Sequence, residues 1–284
     1  MDASLSDRVH RISHPGHGSV NSWVIEGGRD LVVVDCQRTP AAADAIVELA
    51  NRLGKPVVAV LITHAHPDHT LGLQRLIDAF GAQLPVYSSR RTRELLQHDV
   101  YGYVALTRGA VDDRLPDPLP LPNETVSHLE QIRVGDCVVR VVELGPGEAE
   151  AMTAYEFPEL DVVAVGDLVE HRMVPFLLEQ RSAEWLRQLA KAKQILNATS
   201  LLPGHGDPGE RDVLIDWQMR YLRDLRSAVR QCVMQAPDST PESVAKSVAA
   251  DIENQRGPLD TVALIPQLGT LNAAAVYAEL FHDE

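Results

Sequence analysis

Apolar positions fall along this chain in two rhythms. Val20 to Glu26, Leu31 to Asp35, Val57 to Ile62, Cys137 to Leu144, Met152 to Phe157 and Leu160 to Val165 are short apolar runs rich in β-branched residues. Runs of this kind, bounded by turn residues, predict strands buried on both faces. Gly27-Gly-Arg-Asp30 between the first two predicts a hairpin, and Leu84 to Ser88 predicts a further short strand. The other rhythm is helical. Pro40 opens an Ala-rich stretch with Ile46, Leu49 and Leu53 on one face and Gly54 at its end, and Leu71 to Phe80 repeats the pattern up to Gly81. Ala183 to Leu196 and a long stretch from Pro208 to about Gln235 are amphipathic in the same way. Strands alternating with helices predict an α/β architecture.

From Ser89 to Glu130 the pattern fades. Leu115-Pro-Asp-Pro-Leu-Pro-Leu-Pro122 places proline at every second position, which neither a helix interior nor a central strand accepts. An extended loop crossing the surface is expected there. Tyr101, Tyr103 and Arg108 within it are expected either to touch a substrate or to pack a flap onto the body. From Ala236 the pattern is helical again, with Pro241 near an N-terminus and Leu271, Val276, Leu280 and Phe281 as apolar anchors. The expected organisation is one domain over 1–235, with a flap near 89–130. A helical extension over 236–284 would pack on it or form a homodimer contact.

Composition narrows the function. With 284 residues, 45% of them apolar, the chain can fill one large core. A formal charge of −14 argues against non-specific binding to nucleic acid or anionic membrane. The densest basic cluster, Arg90-Arg-Thr-Arg93, reads as the solvated first turn of a helix. Cys36, Cys137 and Cys232 are odd in number and form no Cys-x-x-Cys pair, so no disulfide framework is expected. Met1 to Gly18 lacks a signal-peptide core and no run approaches a membrane span, which together point to the cytoplasm.

The chemistry is concentrated in His64-Ala-His66-Pro-Asp68-His69, directly after the run ending at Ile62 and a turn at Thr63. Three imidazoles and a carboxylate within six residues form a donor set for one metal ion or two neighbouring ones. His-x-His-x-Asp-His after a buried strand resembles the signature of the metallo-β-lactamase superfamily. That resemblance implies a four-layer αββα sandwich and two divalent metal ions, zinc first, with manganese or iron as alternatives. It further implies that His64 and His66 hold the first metal, and Asp68 and His69 the second. Asp167, after Val162-Val-Ala-Val-Gly166, would bridge the two, and His205 in its Gly-His-Gly context would complete the second site. Asp35, at the end of the second strand, would support the ligand loop from behind.

One loop departs from the family pattern. Where Pro-Gly-His is expected, this chain has Pro146-Gly147-Glu148. Glutamate can join two histidines around zinc, so Glu148 is the expected third ligand. Glu150 is the alternative, about 7 Å farther along if the segment is a strand. Two divalent cations, Asp68, Glu148, Asp167 and a bridging hydroxide sum formally to zero, one charge fewer than an all-histidine site. That favours a neutral acyl substrate over a phosphodiester.

The reading is therefore a dinuclear metal-dependent hydrolase acting on a neutral ester, lactone, lactam or thioester, with Asp68 and Asp167 as catalytic carboxylates and a small molecule as partner. The alternatives are a mononuclear iron persulfide dioxygenase and a non-catalytic binding protein with a degenerate site. His14, His17 and His171 could line the cleft and stay outside the metal set.

Overall fold

The computed structural model describes residues 5–14, 16, 18–108 and 115–281. Strands β1 (Val9–Ile12), β2 (Ser22–Glu26) and β3 (Leu31–Val34) pair antiparallel in succession. Helix α1 (Pro40–Leu53) then crosses over to β4 (Val57–Leu61), which lies parallel to β3. The single turn α2 (Pro67–Thr70) and helix α3 (Leu73–Phe80) lead to β5 (Val86–Ser89), parallel to β4. Helices α4 (Arg90–His98) and α5 (Tyr103–Arg108) precede β6 (Glu124–Val126), which completes a six-stranded sheet in sequential order.

The second sheet begins as an antiparallel meander: β7 (Gln131–Val134), β8 (Cys137–Glu143), β9 (Thr153–Phe157) and β10 (Val162–His171). After β11 (Met173–Val174) and helix α6 (Ser182–Ile195), β12 (Ser200–Gly206) returns parallel to β10, and β13 (Gly209–Glu210) forms the edge. Helices α7 (Arg211–Gln235), α8 (Pro241–Arg256) and α9 (Leu268–Phe281) follow, with β14 (Asp260–Thr261) pairing β11 between the last two. Among the described residues no helix is long and apolar enough to cross a membrane.

Strand alternation sorts the side chains into three cores and hence four layers. Trp23, Ile25, Val32, Val34 and Leu61 of the first sheet meet Val139, Tyr155, Val162 and Leu202 of the second. Their neighbours Val24, Val33, Val60 and Ile62 face outward onto Ile46, Leu49 and Leu76 of α1 and α3. On the far side, Val142, Val163, Val165 and Leu201 meet Trp185, Leu189, Leu222 and Val248. This is the expected αββα sandwich. Local signals set the helix ends: Thr39 accepts a hydrogen bond from Ala42 N, Pro40 fills the first position of α1, and Gly54 ends it at a left-handed φ of 66°.

Three expectations need correction. Residues 89–130 are not one extended loop. They hold α4, α5 and β6, because Ser89 caps α4 by accepting from Thr92 N and Asp99 receives the first amides of α5, from Val104 and Ala105. Arg90 to Arg93 do form a helix's first turn. The strand before Asp167 does not stop there but runs to His171, with register shifts against β12 on either side of Gly166. The long helix begins at Arg211, because Gly209–Glu210 first pair with β12.

The C-terminal helices contribute to the same body. Val244, Val248, Ala273 and Val276 share the outer core with α6 and α7. Helix α6 has no N-cap side chain of its own, and Glu279 from α9 accepts the free amides of Ser182 and Ala183, each at 2.9 Å. A carboxylate there satisfies orphan donors and complements the helix dipole. Asn272 bonds Pro175 O and Leu177 N, pinning the loop that carries Phe176.

Candidate metal centre

The strand ends that the sandwich brings together carry the polar residues. Asp35 follows β3, His64 follows β4, Glu148 lies in the β8–β9 loop, Asp167 sits at the irregularity in β10, and His205 is near the end of β12. All are buried. Gly166, at φ 53°, allows this approach, because a Cβ there would lie 2.5 Å from Thr63 Oγ1.

Two groups form. In the first, His66 Nδ1 lies 3.0 Å from Glu148 Oε1, and His64 Nε2 lies 3.8 Å from Glu148 Oε2 and 3.6 Å from Asp167 Oδ2. In the second, His205 Nε2 lies 3.5 Å from Asp68 Oδ2. Asp167 reaches both: its Oδ2 is 3.2 Å from His205 Nε2 and its Oδ1 is 3.2 Å from His69 Nε2. All seven residues named from the sequence are thus brought together. Glu148 and not Glu150 turns inward, since Glu150 is bound on the surface side by Arg91, at 2.7 Å, and by Tyr101.

The outer nitrogens of the imidazoles are held from behind. Asp35 accepts from Thr63 N at 2.9 Å and Thr63 Oγ1 at 2.8 Å, and its Oδ2 lies 2.8 Å from His69 Nδ1. Thr63 Oγ1 is 3.0 Å from His64 Nδ1, and Ser19 O receives His205 Nδ1. The support expected of Asp35 is therefore present. Two partners had no local sequence signal: Glu179, 3.2 Å from His66 Nε2, and Arg38, 3.3 Å from Asp68 Oδ2. Each acts across a long stretch of chain, so only tertiary contact reveals it.

Burial and mutual charge set the protonation. Burial opposes charge on His66, His69 and His205, yet the surrounding carboxylates hold all three above the usual imidazole range. His64 goes the other way, because burial and its imidazole neighbours outweigh Asp167. Asp167 stays well below the usual carboxylate range against its burial, held by His205, His69 and His64. Burial pushes Glu148 up to about 7 against the pull of His66.

The donor set fits divalent cations. His64 Nε2, His69 Nε2, His205 Nε2, both Glu148 oxygens and Asp167 Oδ1 are buried without a hydrogen-bond partner. Buried polar atoms are normally satisfied, and here the unsatisfied ones face each other across the same small space. The ligand atoms of His64, His66, Glu148 and Asp167 all lie within 4.8 Å of one another, as do those of Asp68, His69 and His205. Nitrogen donors mixed with carboxylate oxygens suit zinc, manganese and iron. Gly204 keeps the space open, since a Cβ there would lie 1.9 Å from Asp167 Oδ1.

Beside His66 lies a small cleft, lined by Ala65, Leu95, Leu96, Tyr101, Tyr103 and Ala149 among others. The Tyr103 and Phe176 rings meet His66 edge-on, at 5.1 and 5.4 Å. Arg108 turns away to Pro116 O at 2.6 Å, His14 is exposed, and His171 bonds Asp207 O. His17 lies outside the described residues.

The sequence profile of the metallo-beta-lactamase superfamily matches residues 15–205. A hydroxyacylglutathione hydrolase from Shewanella pealeana is 29% identical over 102 residues, 35% of this chain and 36% of that protein. The chain thus matches only about a third of that relative's length. A metallo-beta-lactamase type 2 from Bacillus cereus is 24% identical over 200 residues, 69% of this chain and 70% of the relative. Among solved structures, a metallo-beta-lactamase family protein from Thermus thermophilus superposes with a TM-score of 0.68 at 18% identity, over 98% of this chain and 94% of its own. A metallo-beta-lactamase from Pontibacter korlensis gives 0.62 at 17% identity, over 78% and 98%.

Proposed function

For a chain that belongs to the metallo-beta-lactamase superfamily, we propose the function of a metal-dependent hydrolase acting on a neutral ester, lactone, lactam or thioester. Two divalent ions, zinc first, would be held by His64, His66, Glu148 and Asp167 on one side and by Asp68, His69, His205 and Asp167 on the other. The observation that carries this reading is the convergence of buried, unpartnered donor atoms on two adjoining groups, with Asp167 of the first reaching His69 and His205 of the second.

Such ions supply a water acidified towards neutrality and a Lewis acid for the carbonyl. The protein's own groups do the rest. Asp167 spans both groups and fixes their spacing, while Asp68, at 19% side-chain exposure against 3% for Asp167, is the more open to solvent. In this reading the two carboxylates would hold the proton released on attack and return it to the leaving group. The cleft beside His66, with its leucine, alanine and tyrosine walls, offers an apolar surface to the acyl part of a substrate. Glu148 in place of an imidazole lowers the site's charge, which disfavours an anionic phosphodiester.

The test combines metal analysis of protein purified without added metal with a panel of esters, lactones, a β-lactam, hydroxyacylglutathione and a bis-phosphodiester. About two equivalents of metal and turnover of a neutral acyl substrate are expected, with loss of both activity and metal in His66→Ala and Asp68→Ala. Preference for the phosphodiester, unaltered turnover in these variants, or no metal after reconstitution would refute the proposal.

A further inference from the structure

Glu179 follows the apolar stretch Val174-Pro-Phe-Leu-Leu178, and its side chain is only 3% exposed. Its Oε1 lies 3.2 Å from His66 Nε2 and accepts the Tyr103 hydroxyl at 3.3 Å, while its Oε2 accepts from Arg181 Nη1 at 2.7 Å. Held by a guanidinium and a phenol, this carboxylate has a defined orientation towards the imidazole.

His66 therefore stands between two carboxylates, Glu148 on Nδ1 at 3.0 Å and Glu179 on Nε2 at 3.2 Å. A neutral imidazole has one N–H and one lone pair, and only the nitrogen without the proton can bind a cation. The Nε2 to Glu179 contact has hydrogen-bond alignment, whereas both Glu148 oxygens lack a hydrogen-bond partner. With a cation on Nδ1 the imidazole would be neutral, and this geometry would keep its one N–H on the Glu179 side, with Nδ1 facing Glu148 and His64. Were Glu179 absent, His66 Nε2 would lose the buried acceptor that fixes the ring's orientation.

We propose that Glu179 is a positioning residue for His66, holding the imidazole in the tautomer and orientation that present Nδ1 to the metal. The assignment rests on the reading of His66 as a metal ligand. It also explains why the support is acidic: a carboxylate accepting the outer N–H raises the basicity of the ligating nitrogen. The clamp continues outward. Arg181 Nη2 donates to the Tyr101 hydroxyl at 2.6 Å, Tyr101 donates to Glu150 at 2.5 Å, and Arg91 Nε bonds the same carboxylate at 2.7 Å. Glu179 thereby ties the ligand to α4 and to Tyr101 and Tyr103.

The experiment measures zinc affinity by competition with a chromogenic chelator, together with the visible spectrum of the cobalt-substituted protein, for wild type, Glu179→Gln, Glu179→Asp and His66→Ala. Glu179→Gln should weaken one of the two sites by about 10- to 100-fold and change the cobalt bands, Glu179→Asp should recover part of the loss, and His66→Ala should lose that site. Wild-type affinity and spectrum in Glu179→Gln, with the site lost in His66→Ala, overturn the role of Glu179 alone. Retention of both sites in His66→Ala overturns the ligand reading beneath it. A lowered Tm with unchanged affinity marks a merely structural role and counts against the proposal. Should Glu179→Gln fail to fold, Glu179→Asp and Tyr103→Phe carry the same readout, each with a smaller loss of affinity expected and unchanged affinity in both overturning the role.

Discussion

Asp35→Asn isolates the support behind the second group of ligands. Asp35 has φ 61°, in the left-handed region that asparagine, almost alone among other side-chain-bearing residues, accepts at little cost. The substitution therefore changes charge and one hydrogen-bonding group but leaves the backbone unstrained. The amide oxygen can still accept from Thr63 N, and the Thr63 hydroxyl can rotate to accept from the new NH₂. His69 cannot adapt so cheaply. Its Nδ1–H, 2.8 Å from Asp35 in the wild type, would meet a donor, and relief comes by moving the proton to Nε2, the nitrogen 3.2 Å from Asp167. That puts a hydrogen where a cation should bind. Loss of a charge-assisted hydrogen bond costs about 1.5–3 kcal/mol, which at about 1.4 kcal/mol per decade matches the roughly 10- to 100-fold effect of outer-shell changes on metal affinity. Chelator competition should show one weakened site, and urea unfolding of the metal-free protein should show a loss of about 1–3 kcal/mol. Affinity within about threefold of wild type at both sites would refute the reasoning.

The remaining predictions concern the ligand choice, the packed glycine and a buried thiol. Glu148→Gln should lower metal affinity by more than about tenfold, while Glu150→Gln, whose carboxylate serves Arg91 and Tyr101, should stay within about threefold; the reverse order would exchange their roles. Gly204→Ala forces a methyl against Asp167 Oδ1, so about 1–3 kcal/mol of stability and measurable metal binding should both be lost. Gly269→Ala in α9, with nothing within 4 Å, should instead gain up to about 1 kcal/mol in the same melts. Burial pushes the Cys137 thiol from its ordinary value near 9 to about 11. The native state therefore holds its proton longer than the unfolded chain, and stability is lost as pH rises between these values, by about 3 kcal/mol in all. Urea melts at pH 9 and pH 11 should show a steeper decline for wild type than for Cys137→Ala, and equal declines would sink the argument.

Much of the architecture was legible because burial on a strand or a helix leaves a local period. The run Val57 to Ile62 reads as a strand whose two faces meet different cores, and it does divide: Ala59 and Leu61 point to one, Val60 and Ile62 to the other. The ligand motif was legible for a related reason, since His64, His66, Asp68 and His69 lie within six residues and one turn of chain delivers them together. The segment 89–130 was harder. Its helices are short, α5 buries no residue fully, and their starts depend on caps from Ser89 and Asp99, which stand outside any apolar period.

The residues of the chain thus determine by themselves an alternation of strands and helices and a histidine and carboxylate motif at the end of a buried strand, and the sandwich follows from the resemblance that this motif carries. What only the tertiary structure decided is which carboxylate turns inward and who stands behind each imidazole. Glu148 and Glu150 are two positions apart, but one meets His66 in the interior and the other Arg91 at the surface. His66 and Glu179 are 113 positions apart and Arg38 and Asp68 are 30. Apolar burial is repeated at every turn of an element and so leaves a period in the sequence. A buried polar contact is made once, between elements far apart in the chain, and its partner is set by their distance and orientation in the folded protein.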